Sequence, residues 1–256
     1  MSELKLDAFS LRGKRVLVTG ASSGLGQAVA IGAAAAGAEV VLTGRDAARL
    51  EETRAAMAGE GHLCVTADLT QADQREALVS QAGVIDGLVH SAGTAAVRLF
   101  RQIDEDFIHR DFSINLDAPL LLTQQLLAKK QIAQQGSIVF IGSIAAHIGT
   151  KASSVYSASK GALRPAARAL ALEVGPKQQI RVNYMAVSYI ETPLLTRLAE
   201  QGMGGSMATV TEPPLGKGVP EDVANSAVFL LAPASRWITR ATLYVDGGLT
   251  CQISAQ

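Results

Sequence analysis

The stretch RVLVTGASSGLG, residues 15–26, determines how the chain is expected to fold. It opens with a short aliphatic, β-branched run typical of a buried strand, and an alanine-rich helical run begins at Leu25. The glycines between them allow a sharp turn, and the start of a helix offers free backbone N–H groups to a phosphate. The order of strand, glycine loop and helix therefore predicts a site for a phosphate-bearing cofactor. The residues predicted to approach it are Gly20, Ser22, Ser23, Gly24, Leu25 and Gly26.

Six further strand-like runs follow, nearly all separated by helical stretches. They cover residues 39–45, 62–69, 85–93, 136–143, 180–185 and 241–248. Such alternation implies right-handed crossovers and a parallel sheet, whose ligand crevice lies at the carboxyl ends of the strands. No linker or repeat divides the chain, so we predict one α/β domain over residues 1–256. It should be a doubly wound, Rossmann-like sheet of about seven mostly parallel strands with helices on both faces. The glycine-rich region 202–218 is predicted to form a lid.

The overall composition excludes several classes of protein. Lys+Arg and Asp+Glu both number 23, so no net field attracts nucleic acid or an anionic membrane. The two cysteines, Cys64 and Cys251, and the four histidines show no metal-binding spacing, so we expect no metal. The N-terminal residues lack the continuous apolar segment of a signal peptide, and the most apolar stretch is interrupted by glycines. We therefore expect a cytoplasmic protein without a membrane segment.

The end of the second strand carries information on the cofactor. A site for NAD would place an acidic residue there to bind the ribose 2′-hydroxyl, whereas this chain has Gly44 and Arg45. An arginine can pair with a 2′-phosphate, so Arg45 favours NADP(H) over NAD(H). The alternative is that Arg45 lies on a surface loop and pairs with Asp46 or with water.

A second group of residues suggests acid/base chemistry. Tyr156 and Lys160 are four residues apart in a predicted helix and so share one face. A nearby ammonium stabilises a phenolate, which a tyrosine needs if it is to exchange protons near neutral pH. Ser143 follows the fifth strand, where its hydroxyl can bind a carbonyl oxygen. Asn115 should interrupt a long apolar helix, and its amide could hold a water against the lysine.

Taken together, these features strongly resemble the short-chain dehydrogenase/reductase family in its small single-domain branch, including members similar to 3-oxoacyl-ACP reductases. The resemblance covers nearly the whole chain. The segments that carry it are TGASSGLG at 19–26, Asp68-Leu69, Asn115, Ser143, YSASK at 156–160, RVN at 181–183, ETP at 191–193 and VDGG at 245–248.

The resemblance implies an Asn-Ser-Tyr-Lys tetrad that moves a hydride between a nicotinamide and a ketone or secondary alcohol. Asn115 would position a proton-relay water, Ser143 would polarise the carbonyl, and Tyr156 would exchange the proton. Lys160 would lower the pKa of the tyrosine and bind the nicotinamide ribose. The further cofactor contacts implied are Asp68, Leu69, Ser91, Ala92, Gly93, Ile190 and Thr192. The resemblance also implies a homotetramer, or a homodimer.

The chain departs from the pattern of that family in two segments. The usual Asn-Asn-Ala-Gly after the fourth strand is His90-Ser91-Ala92-Gly93, so the two amide side chains are replaced by an imidazole and a hydroxyl that can still form hydrogen bonds. The usual Pro-Gly after the sixth strand is Val187-Ser188, which changes the stiffness of the segment that should reach the nicotinamide. We expect the cofactor site to survive both changes.

Several functions remain open at this point. The leading one is carbonyl reduction, with a 3-oxoacyl thioester, a sugar-derived ketone or a simple secondary alcohol as the substrate. A cofactor-binding regulator or scaffold without catalysis is the alternative from another class, and the predicted tetrad argues against it. A nucleotide-sugar epimerase or dehydratase is a further alternative, which the glycine spacing and the short chain oppose.

Overall fold

The computed structural model describes residues 6–192 and 213–251. Within these residues a seven-stranded parallel sheet has the order β3-β2-β1-β4-β5-β6-β7. The strands are β1 Arg15–Thr19, β2 Glu39–Gly44, β3 Leu63–Thr66, β4 Ile85–His90, β5 Ile132–Ile141, β6 Arg181–Val187 and β7 Thr242–Val245. The predicted seven strands and the doubly wound, Rossmann-like fold are confirmed.

Helices connect the strands in the alternating order that the sequence predicts. In chain order the described helices are α1 Gly24–Ala35, α2 Ala47–Ala55, α3 Ala72–Ala82, α4 Glu105–Phe112, α5 Ala118–Ala128, α6 Ala145–Ile148, α7 Ser154–Gln178 and α8 Pro220–Leu231. A short π-helical segment, Ser113–Asp117, joins α4 to α5. Strands β1, β2, β4 and β6 are almost entirely buried, so helices must cover both faces of the sheet at its centre.

The core consists of two apolar layers, one on each face of the sheet. Successive strand residues point to opposite faces, so Leu17 packs in one layer while Val16 and Val18 pack in the other. The first layer takes side chains from α3, α5 and α7, and the second takes them from α1, α2 and α8. Burying one such side chain contributes about 1.5–3 kcal/mol relative to exposure, so these layers fix the sheet.

The strand order reverses between β1 and β4. From β1 the chain proceeds outward through β2 to β3, and β4 then returns to the other side of β1. At such a reversal the connections leave in opposite directions and open a crevice at the carboxyl ends of the strands. The glycine loop follows β1 and the segment Ser91–Gly93 follows β4, so both border this crevice.

The described residues contain neither a helix long and apolar enough to cross a membrane nor a cluster of His, Cys, Asp or Glu suited to a metal ion. Within the predicted lid, residues 202–212 lie outside the described part of the chain. Its last residues are described, and the Leu215 amide donates to the Gly247 carbonyl at 3.2 Å. The lid stays a prediction.

Candidate active site

Two glycines of the glycine loop, Gly20 and Gly26, have no space for a side chain. Gly20 has φ +68°, and a Cβ there would lie 2.8 Å from the backbone of Ala92. A Cβ on Gly26 would overlap the carbonyl of Gly20. Helix α1 begins at Gly24, and the hydroxyl of its N-cap Ser23 makes no capping hydrogen bond. The first N–H groups of α1 thus lack a side-chain cap, which suits a phosphate ligand.

Thr19, which sequence reasoning missed, joins the two loops that border the crevice. Its fully buried hydroxyl oxygen accepts hydrogen bonds from the backbone N–H of Ser91 at 3.1 Å and of Ala92 at 3.0 Å. Gly93 follows, and a Cβ there would lie 2.6 Å from Asn115 Oδ1. The position of Thr19 immediately before the first glycine was the signal that could have identified it. The three predicted residues that follow β4, Ser91, Ala92 and Gly93, form a loop that we call the β4 loop. These contacts place all three beside the glycine loop or Asn115.

The predicted adenosine end of the cofactor site lies at the ends of β2 and β3. Arg45 is exposed, and its charge helps to lower the pKa of Asp68, after the larger effect of the backbone N–H of Thr70. Asp46 instead accepts a hydrogen bond from the N–H of Arg49 and pairs with its guanidinium at 3.6 Å. The described residues therefore give no support to the Arg45–Asp46 pair considered as an alternative. Leu69 differs from its neighbours, because its side chain is buried in the core.

The predicted nicotinamide end lies after β6. Ile190 is buried and pairs in parallel with Gly218, and the Ser188 amide donates to the Val245 carbonyl at 3.0 Å. Thr192 approaches the glycine loop, since a Cβ on Gly24 would lie 3.7 Å from its methyl group. Backbone pairing thus holds this segment without the usual Pro-Gly.

The close packing of the glycine loop and the start of α1 without a side-chain cap fit the pyrophosphate of a nicotinamide dinucleotide.

Tyr156 lies in the first turns of α7, close to Ser143 after β5. The side chain is partly exposed, and desolvation raises the pKa of its phenol. Hydrogen bonding with Ser143 opposes this shift, and the Asp111 carboxylate adds to it. Ser143 Oγ accepts from the N–H of Ala145 at 3.1 Å. The serine proton thus stays available to the tyrosine oxygen or to a substrate oxygen.

Lys160 lies one turn beyond Tyr156, as predicted, and is buried. Its Nζ donates to the carbonyl of Ile141 at 3.2 Å. Burial lowers the pKa of this ammonium to about 8, and the charge of Asp111 opposes the shift. Gly93 is adjacent, since a Cβ there would lie 3.0 Å from Nζ. The predicted lowering of the tyrosine pKa by Lys160 stays a prediction.

Asn115 lies in the middle of the π-helical segment, so the helix is interrupted where the sequence predicted it. Its Oδ1 accepts from the N–H of Thr94 at 2.9 Å, and its Nδ2 donates to the carbonyl of the same residue at 3.1 Å. Nδ2 also lies 3.0 Å from Asp111 Oδ1 and 3.2 Å from Ser159 Oγ. Asn115 thus connects the β4 loop to α4 and α7.

Tyr184 of β6, also missed from sequence, bridges the segments that carry Ser143 and Lys160. Its hydroxyl accepts from the backbone N–H of Ser143 at 3.1 Å and donates to the backbone carbonyl of Lys160 at 3.2 Å. The ring passes over Gly142, where a Cβ would overlap it. Burial raises the pKa of Tyr184 to about 12, so the phenol remains a donor. In the sequence, the one indication that a ring packs here is the glycine directly before Ser143.

His90 replaces the usual asparagine as a neutral, buried donor. The Thr123 hydroxyl donates to the carbonyl of Pro119 at 2.8 Å, so His90 Nε2, 2.8 Å from that hydroxyl, must carry the ring proton. The imidazole stacks on Phe140 with ring centroids 4.8 Å apart. Nδ1 is buried without a hydrogen-bond partner among the described residues. Burial lowers the pKa of His90 to about 3.

His90 should make the protein less stable in mild acid. The folded pKa lies below the unfolded value of about 6.5, so only the unfolded chain takes up this proton as the pH falls. The variant His90→Asn should have a lower free energy of unfolding than the wild type at pH 8. Below pH 6.5 this difference in unfolding free energy, the gap, should narrow by about 1.4 kcal/mol per pH unit. Urea unfolding across this pH range measures the gap. The exposed His109→Asn is the control, and a constant gap for His90→Asn would contradict a buried neutral imidazole.

Comparison with known proteins agrees with this geometry. A family model described as Enoyl-(Acyl carrier protein) reductase matches residues 20–250. A solved structure described as a short chain dehydrogenase/reductase family protein has a TM-score of 0.82 at 36% identity, covering 93% of this chain and 97% of that chain. The chain belongs to the short-chain dehydrogenase/reductase family. Another structure, a short-chain type dehydrogenase/reductase from Mycobacterium marinum, has a TM-score of 0.86 at 32% identity and covers 96% and 99% of the two chains.

Two curated relatives within this dehydrogenase/reductase family are reductases of small sugars by name. D-erythrulose reductase of Gallus gallus is 37% identical over 242 residues, 93% of this chain and 96% of that protein. L-xylulose reductase of Mus musculus is 34% identical over 241 residues, 93% of this chain and 97% of that protein. Membership in this family makes the chain an NAD(P)-dependent oxidoreductase acting on CH–OH or C=O groups.

Proposed function

We propose that this chain is an NADP(H)-dependent reductase of small ketones, with sugar-derived ketones as the preferred substrate class. The observation that carries the proposal is the convergence of Ser143, Tyr156 and Lys160 next to Gly93, in the loop after β4 that packs against the glycine loop. The names of the erythrulose and xylulose reductases support a small hydroxylated ketone. The exposed Arg45 beside Asp68 supports the 2′-phosphate of NADP(H).

The proposed chemistry divides between the cofactor and the side chains of this chain. When bound, the nicotinamide supplies the hydride for reduction. The Ser143 hydroxyl donates a hydrogen bond to the substrate oxygen as negative charge develops there. The phenol of Tyr156 gives its proton to the same oxygen. Lys160 would bind the ribose and stabilise the resulting phenolate, while Asn115 would hold the relay water.

A 3-oxoacyl thioester is the second candidate substrate. A solved structure described as a putative betaketoacyl-ACP reductase, 36% identical, favours it, and the family model described as Enoyl-(Acyl carrier protein) reductase favours a thioester on the same carrier. Equal numbers of basic and acidic residues give the chain no net attraction for an acidic carrier protein, which ranks this candidate second.

We further propose that the chain works in the cytoplasm as a homotetramer or homodimer. Large apolar side chains are exposed on α7 and after α8, among them Leu172 and Trp237, which is 89% exposed. Aromatic side chains such as that of Trp237 are enriched at protein–protein interfaces.

Cofactor oxidation followed by absorbance tests the proposed function. Purified protein should oxidise NADPH with erythrulose-like and xylulose-like ketoses faster than with 3-oxoacyl thioesters, and it should prefer NADPH to NADH. Arg45→Ala should lower kcat/KM for NADPH about tenfold and leave NADH nearly unchanged, because a charge-assisted hydrogen bond to phosphate is lost. Arg54→Ala, which removes an exposed arginine paired with Glu51 at 2.7 Å, is the matched control.

The other outcomes of this assay discriminate among the alternatives. Faster turnover of thioesters would replace the sugar-derived substrate with the second candidate. Equal use of the two cofactors, unaffected by Arg45→Ala, would show that the preference for NADP(H) is wrong. Cofactor binding without oxidation of any ketone would favour a regulator that keeps the fold.

A further inference from the structure

Asp111 is a buried acidic residue that the proposed chemistry does not use. It lies at the end of α4, is 2% exposed, and its Oδ2 is buried without a hydrogen-bond partner among the described residues. A buried carboxylate oxygen without a partner is costly, so a group placed in this way requires an explanation.

The other oxygen of Asp111 is connected directly to the candidate site. Oδ1 accepts from Ser159 Oγ at 2.5 Å and from Asn115 Nδ2 at 3.0 Å. Ser159 is the residue before Lys160, and its hydroxyl also lies 3.0 Å from the carbonyl of Tyr156. The carboxylate therefore holds the π-helical segment and the catalytic turn of α7 together.

The charge of Asp111 acts on both titrating residues of α7. It disfavours the phenolate of Tyr156 and favours the ammonium of Lys160. In low dielectric, such an effect extends beyond direct contact. Reduction requires a protonated Tyr156, whereas oxidation of an alcohol requires the phenolate. The charge of Asp111 therefore supports reduction and opposes oxidation.

Resting on the proposed function, we propose that Asp111 is a positioning residue that keeps the proton on Tyr156. Through its charge and its bonds to Asn115 and Ser159, it extends the pH range of carbonyl reduction upward and confines alcohol oxidation to more alkaline pH. The overall equilibrium remains a property of substrate and cofactor.

The other titratable groups around this site do not supply an equivalent negative charge. From the surrounding elements they include Lys160 and Arg164 of α7, Tyr184 of β6, Tyr244 of β7, His90 of β4 and His147 of α6. Tyr184 stays protonated because burial raises its pKa to about 12, and His90 stays neutral because burial lowers its pKa to about 3. On α4 itself, the further charged or titratable residues are Glu105, Asp106, His109 and Arg110, all exposed to solvent screening.

The pH dependence of kcat in both directions tests this inference. Asp111→Asn keeps the size of the side chain and an acceptor oxygen for Ser159 but removes the charge. Its alcohol oxidation should begin at lower pH than in the wild type, so that at a fixed pH on the rising limb oxidation is about tenfold faster. Its reduction should decline at lower pH than that of the wild type. Asp117→Asn, an exposed carboxylate in the same π-helical segment, is the matched control and should leave both profiles in place.

Failure of the inference can be distinguished from failure of the proposed function. If the wild type reduces ketones and the profile of Asp111→Asn superimposes on it, the inference is wrong and the function stands. If the wild type reduces no ketone, the titration midpoint of Tyr156 can be measured without turnover. The probe is ¹³Cζ-labelled tyrosine, and the signal of Tyr156 is assigned as the one that Tyr156→Phe lacks. A lower midpoint for Tyr156 in Asp111→Asn supports the inference, and an equal midpoint overturns it. Asp111→Ser serves the same tests if Asp111→Asn does not fold.

Discussion

Replacing Tyr156 with phenylalanine should lower kcat for ketone reduction by about 100-fold to 10,000-fold, the usual contribution of a positioned acid or base. The phenol is close to Ser143 and is the predicted proton donor, and phenylalanine keeps the ring in place. The loss should appear in kcat, because the ring still fills its place in the crevice. Steady-state kinetics of NADPH oxidation measure the effect.

The control for this substitution is cofactor binding. Quenching of protein fluorescence by NADPH, which the single tryptophan permits, should give nearly the same Kd for wild type and variant. If Tyr156→Phe retained full kcat, the tyrosine would not be the acid, and the proposed tetrad would have to be abandoned.

Gly142→Ala should have the second largest effect, destabilising the fold by about 3 kcal/mol and lowering kcat about 100-fold. The added methyl group would overlap the buried ring of Tyr184, which must then move. The movement would break the hydrogen bond that this hydroxyl accepts from the Ser143 N–H and the one that it donates to the Lys160 carbonyl. Urea unfolding and steady-state kinetics measure the two losses.

A double variant distinguishes this overlap from a general sensitivity of the turn. In the background Tyr184→Val, which removes the ring, adding Gly142→Ala should cost far less stability than in the wild type, since the two sites couple. Gly175→Ala on α7, where a Cβ meets nothing within 4 Å, is the control and should cost no stability, since alanine favours a helix by up to about 1 kcal/mol over glycine. Equal costs of Gly142→Ala in both backgrounds would rule out the proposed overlap.

The strands and the glycine loop could be predicted because each is encoded locally. Buried parallel strands appear as continuous apolar runs, and the seven runs in the sequence correspond to the seven strands found. Asn115 could be predicted to interrupt a helix because a polar amide stands within an apolar helical pattern. The positions of Tyr156 and Lys160 on one face follow from the helical repeat alone.

The supports of the site could not be predicted, because they join segments far apart in the chain. Tyr184 bonds to Ser143 across 41 residues, and Thr19 bonds to Ser91 across 72 residues. Nothing in the neighbourhood of Asp111 marks its carboxylate as buried, since the other acidic residues of α4 are exposed. Such pairings depend on how helices pack on the sheet, which residue patterns do not specify.

The hydroxyl of Thr19 has a consequence for the thermodynamics of ligand binding. Because it accepts from two consecutive amides of the β4 loop, folding already fixes that loop against the glycine loop. A flexible pair of loops would lose conformational entropy when a ligand ordered them, and the loss would weaken binding. Here the preorganised loops have lost that freedom in the folding reaction, so more of the intrinsic contact energy is retained as affinity.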